Sequence, residues 1–175
     1  MVTKMIKASA FAEQAKSSAY DGIPYSELDC QAFVEKVLGD CGCKKSNGAR
    51  YNWTGSNKMW RVALNWKGTI AQARAQWGDI PVGAWVFTVK YDGGEKERGY
   101  NDNEGNAKHV GIYIGDGRVR HSSTGGVQYA KIDEPRWTHC GLCKYLDYDN
   151  GDVPADDKIE AAVKLLEEAI KILKG

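Results

Sequence analysis

The chain has no run approaching the roughly 18 consecutive apolar residues of a membrane-spanning helix, no excess charge of either sign and no internal repeat. The first absence excludes a spanning helix. The second, 24 basic against 23 acidic side chains for a formal charge of +1, leaves no overall field to draw the chain to nucleic acid or to an anionic membrane. The opening MVTKMIKASAFAEQAKSSAY interrupts its apolar positions and carries no small-residue cleavage site, so it does not read as a secretion signal. Histidine is scarce, at three, and the five cysteines are an odd number, which leaves one thiol over however the others pair. What the chain does have is length: 175 residues suit one domain that buries a core without disulfide staples.

Met5, Ile6, Ala8, Phe11, Ala12 and Ala15 recur at helical spacing and predict a first amphipathic helix, stopped by the breakers in YDGIPY. A second helix follows Asp29, with Phe33, Val34, Val37 and Leu38 on one face and Gly39 as its terminator. Residues 44 to 67 read mostly as loop, with a short helix in NKMWRVALNW, and IAQARAQW reads as another helix. GAWVFTVKY, HVGIYIGDGRVRHSS, GVQYAKI and CGLCKYLDY then supply strands. Helices first and antiparallel strands afterwards predict an α+β fold with helices packed on one face of a sheet. One folded domain is expected over residues 1–148, followed by an acidic linker at 149–157 and an amphipathic helix at 158–175. In that helix Ile159, Val163, Leu166, Ile170 and Leu173 form a heptad seam, too short to stand alone, which docks on its own domain or on another chain.

Cys30 stands where a polar turn gives way to a helix, sharing the inward face of Phe33 and Val34. The positive end of the helix dipole there favours a thiolate, and Asp29, at or near the N-cap, partly opposes it; Ser26 is the alternative cap and would shift the start by a turn. A small buried hydrophobe is the alternative reading of the same cysteine. His109 and His121 bracket one predicted hairpin. A three-residue turn at Gly115, Asp116 and Gly117 pairs Ile114 with Arg118, sets Gly111 opposite His121, and brings both imidazoles to one face. A two-residue turn would set them on opposite faces. On one face, Cys30, His109 and His121 would supply a nucleophile, a base and an orienter, the minimum for thiol attack on an amide. Strand-edge surface histidines and a zinc site are the competing readings. The pairs Cys41/Cys43 and Cys140/Cys143, with His139 nearby, read as buried thiols, with disulfides or a zinc site as alternatives.

GIPYSELDCQAFV, VGAWVFTV and HVGIYIGDGRVRHSS together resemble the NlpC/P60 family of papain-like cysteine peptidases, in particular the cell-wall hydrolases of phages and prophages. The family's Asp-Cys-Ser-Gly-Phe stands here as Asp29, Cys30, Gln31, Ala32 and Phe33, with glutamine for serine and alanine for glycine. The resemblance implies Cys30 as nucleophile, His109 as general base, His121 as orienter and Tyr25 beside the oxyanion site, with Asp29, Trp60 and Ser122 toward substrate. It implies hydrolysis of a peptidoglycan stem peptide, usually at the bond between γ-D-glutamate and the diamino acid, without metal or organic cofactor. Non-catalytic wall-binding or phage-tail modules, and amidases or acyltransferases, are the alternatives on the same fold. The expected place of action is the bacterial cell wall, after synthesis in the cytoplasm. Trp53, Trp60, Trp66 and Tyr100 either wall the cleft or pack the fold. Deleting residues 157–175 is expected to leave turnover of wall peptides intact; activity lost from a truncation that still folds would assign that helix to the active domain.

Overall fold

The computed structural model describes residues 5–93 and 99–148. The expected linker and C-terminal helix lie outside the described residues. A two-residue strand β1 (Ile6–Lys7) comes first among the described residues, so the first predicted helix starts later than its spacing suggested, as α1 (Ala8–Ala15). Helices α2 (Cys30–Asp40), α3 (Ser56–Val62) and α4 (Ile70–Trp77) alternate with β2 (Leu64–Thr69). Then follow β3 (Trp85–Lys90), β4 (Asn106–Tyr113), β5 (Arg118–Ser123), β6 (Gly126–Lys131), β7 (His139–Cys143) and β8 (Leu146–Asp147).

Six strands form one antiparallel sheet in the order β2-β7-β3-β4-β5-β6, while β1 and β8 pair in parallel beside it. The main core lies between α1, α2 and α3 and one sheet face, where Phe33, Val34, Val37 and Leu38 are fully buried against Trp85, Phe87, Val110 and Ile112. Each such aliphatic or aromatic side chain contributes about 1.5–3 kcal/mol by leaving water. The opposite sheet face is also covered, by Ala73 of α4 together with Ile132 and Trp137 from the segment between β6 and β7. Both-face burial explains why β3 reads as a continuous apolar run rather than an alternation.

β2 falls in the stretch read as loop. Its residues LNWKGT are half-exposed almost throughout, so they lack the alternation that marks a strand with one dry face. The end of α2 also differs from expectation. Gly39 is helical and buried beneath the Arg50 side chain, and the chain leaves the helix through Gly42, whose φ of +86° suits glycine.

Asp29 caps α2, its carboxylate accepting the Ala32 N–H at 2.8 Å. Arg120 of β5, almost wholly buried, pairs with Asp21 and lies 4.2 Å above the Tyr129 ring, which ties the segment before the cap to the sheet. Replacing Asp29 by Ala is expected to lower stability by about 1 kcal/mol, and by Asn much less. Urea midpoints at unchanged m-value check this; equal losses in both variants would show that the cap bond is not the cause.

Candidate active site

β4 and β5 are bridged at Ile112–Arg120 and Tyr113–Val119, and the ladder ends short of Gly111 and His121. The turn between them has the three residues Gly115, Asp116 and Gly117, with Ile114 N–H donating to the Arg118 carbonyl at 3.0 Å. That register carries both imidazoles to one face. His109 Nε2 and His121 Nδ1 stand 2.9 Å apart with ring planes at 88°.

The space beside Gly111 is filled by Trp137. A Cβ at Gly111 would come within 3.1 Å of both the Trp137 ring and His121 Cβ. The indole stacks on His109 with centroids 5.5 Å apart and meets His121 edge-on at 5.2 Å. Trp137 is therefore a site residue that the sequence reading missed. It lies outside any strand, in DEPRWTHC, and no spacing links it to the histidines.

Cys30 opens α2 and is 6% exposed. Its sulfur takes backbone N–H groups from Gln31 and from Val110, the residue after His109, and the Tyr25 hydroxyl at 3.9 Å. Among the described residues the imidazole of His109 makes its side-chain hydrogen bond to His121. Nδ1 is thus the His109 ring nitrogen that His121 leaves unengaged. Tyr25 Oη also accepts the Cys30 N–H, so hydroxyl, amide and sulfur converge on one spot.

The expected thiolate-favouring field does not prevail. Burial pushes the Cys30 thiol above its ordinary value and Asp29 adds to this, while the donated N–H groups and Tyr25 only reduce the shift. Burial likewise raises the Tyr25 phenol, to about 12, so it stays a donor. His109 is lowered to about 4 by burial and then by the Arg136 charge; His121 is lowered to about 4 by burial, then by His109 and Arg136. Neutral thiol and neutral imidazoles form the resting state.

Two residues expected to touch substrate do not face it. Trp60 is 3% exposed and donates its indole N–H to the Glu104 carbonyl, packing on Phe87 and His139 inside the main core. Ser122 is fully buried and donates to the Leu28 carbonyl, fastening β5 to the chain just before Asp29. Asp29 is exposed, with one carboxylate oxygen committed to the cap. Trp53 is buried, Trp66 packs on Trp77, and Tyr100 lies under Arg61, all as packing groups.

Among the described residues no three His, Cys, Asp or Glu side chains are grouped to hold a metal ion. The zinc alternatives therefore fail on geometry. Cys140 and Cys143, three residues apart on one strand, face opposite sheet sides and belong to different cores. All five cysteines are free thiols; Cys140 and Cys143 are buried, Cys41 and Cys43 partly so.

Both buried imidazoles have folded values of about 4 against an ordinary 6.5. The unfolded chain therefore binds more protons between those values, and stability present above pH 6.5 is lost as pH falls toward 4. Urea midpoints followed down this range should fall, and His121→Gln should flatten the dependence; an unchanged slope in the variant would remove His121 from the account.

A search of curated proteins finds no match. The NlpC/P60 family model matches residues 15–144, which run from the end of α1 past the last residue of β7 and include Cys30, His109, His121 and Trp137. That family generally comprises cysteine peptidases and related hydrolases of peptidoglycan. The match extends over most of the chain and over every strand of the main sheet, and on that ground the chain belongs to the NlpC/P60 family.

Proposed function

We propose that the chain is a peptidoglycan endopeptidase that cleaves the amide bond between γ-D-glutamate and the diamino acid of a stem peptide. The observations that support this reading are the His109–His121 pair at 2.9 Å and the place of Cys30 at the start of α2, with the N–H of Val110, the residue after His109, acting on its sulfur. A nucleophile, a base and an orienter in that order are what thiol attack on an amide requires.

With His109 protonated on Nε2 and donating to His121, the Nδ1 lone pair is free to take the thiol proton. Sulfur then adds to the scissile carbonyl. The charge that develops on oxygen falls beside the Cys30 N–H and the Tyr25 hydroxyl, both oriented before reaction and so requiring little reorganisation. Collapse breaks the C–N bond, and imidazolium His109 gives its proton to the departing amine. Water, deprotonated by the same ring, hydrolyses the thioester and returns the thiol. Because the resting thiol is neutral, proton transfer accompanies attack instead of preceding it. A phage or prophage origin and action at the cell wall fit this chemistry.

Incubation of sacculi and purified stem peptides with the protein should release a new free amine on the diamino acid, and Cys30→Ala should release none. Products that keep that amide intact, or binding equal in both proteins without turnover, would replace the endopeptidase by an amidase or a non-catalytic module. Tyr25→Phe is expected to lower kcat on the order of a hundredfold with little change in KM. In kcat/KM the acid limb should lie near pH 4, where His109 titrates, well below an ordinary imidazole.

A further inference from the structure

Arg136 lies in the segment between β6 and β7, beside the indole that supports both imidazoles. That segment is closed by two backbone turns, Glu134 N–H to the Lys131 carbonyl at 3.2 Å and Trp137 N–H to the Glu134 carbonyl at 3.0 Å. The guanidinium carbon stands 5.6 Å from the Trp137 ring centroid, and Trp137 in turn stacks on His109. Two guanidinium nitrogens engage the same Glu134 carboxylate oxygen, Nη2 at 2.6 Å and Nε at 2.8 Å, while the side chain stays 43% exposed. Arg136 is thus a half-exposed cation one aromatic ring away from the general base.

Its charge works against the reaction in the free protein. Among the described residues Arg136 is the one charged side chain whose field acts on His109; His121 feels His109, Arg136 and, in the opposite sense, Glu134. A cation there resists the imidazolium that must form during attack. An anion brought by the substrate would cancel that resistance and meet the guanidinium donors that Glu134 does not use, those of Nη1 first. A γ-linked D-glutamyl residue carries such an anion, its free α-carboxylate, three carbon atoms from the scissile carbonyl.

We propose that Arg136 is a specificity residue that binds the free α-carboxylate of the γ-D-glutamyl residue and so selects substrates in which that group is not amidated. This rests on the endopeptidase reading above. Recognition and chemistry are thereby coupled: the carboxylate that docks on Arg136 also relieves its charge on His109.

The test uses two synthetic stem peptides that differ only in carrying a free α-carboxylate or a carboxamide at the glutamyl residue. The full chain is expected to prefer the carboxylate by about 10- to 100-fold in kcat/KM, in line with a charge-assisted hydrogen bond. Arg136→Gln should reduce that ratio to near one, and Arg136→Lys should restore part of it. On the carboxamide peptide, Arg136→Gln should also move the acid limb of the pH profile upward at an unchanged urea midpoint, which separates the lost charge from a loosened burial of His109. Equal use of both peptides by the full chain, or a preference that persists in Arg136→Gln, overturns the proposal. Binding of both peptides to the Cys30→Ala protein, measured by calorimetry, reads the same selection without turnover. Absence of cleavage with carboxylate preference retained therefore counts against the endopeptidase reading alone, and equal binding counts against Arg136.

Discussion

Sulfur meets the sheet because α2 lies across β4 where β4 parts from β5. Four fully buried side chains, Phe33, Val34, Val37 and Leu38, press the helix onto the strand. At the helix start this leaves Cys30 level with Val110, whose N–H is offered to sulfur where the ladder to β5 has already ended. His109 and His121 sit on the other face of those strands, with Trp137 behind them. Ser122 and Arg120 fasten β5 to the segment that leads into the helix. At Gly126 the next turn comes so close to the Ile23 carbonyl that a Cβ there would lie 3.0 Å away, at a φ of +87°.

Competing electrostatic terms decide the protonation states. The first turn of a helix favours a thiolate, worth typically 0.3–1 kcal/mol at an exposed site, but Cys30 is buried beside an acidic cap and its thiol is raised instead. Burial pushes the imidazoles the other way, so all three groups rest uncharged. Uncharged buried groups avoid an unpaired buried charge.

Much of the aromatic content serves the scaffold. Trp53 and Trp60 close the main core, and Trp60 also anchors the β3–β4 connection through Glu104. Tyr51, Trp53 and Tyr145 stack in succession, with Tyr51 and Tyr145 centroids 4.2 Å apart. A tryptophan in a polar loop invites assignment to a substrate cleft, yet an indole that buries its ring and finds one carbonyl for its N–H is equally well satisfied inside.

Local rules were enough for the elements on which the site is mounted. Asp29 before an apolar helical pattern marked the start of α2, and from a three-residue turn at GDG counting outward brings His109 and His121 to one face, because side-chain period is a property of short stretches of chain; the choice of Asp29 over Ser26 as cap, and of three turn residues over two, was made by the structure. The family motifs followed from the same stretches. Strand β2 escaped because a half-exposed strand carries no alternation, and Trp137 escaped because its place beside the histidines depends on a connection from β6 to β7. The burial of Trp60 and Ser122, the neutral resting thiol and the approach of Arg136 to His109 were likewise decided by the tertiary structure alone. Burial and the field at a charge depend on neighbours distant in sequence, and no local pattern records them.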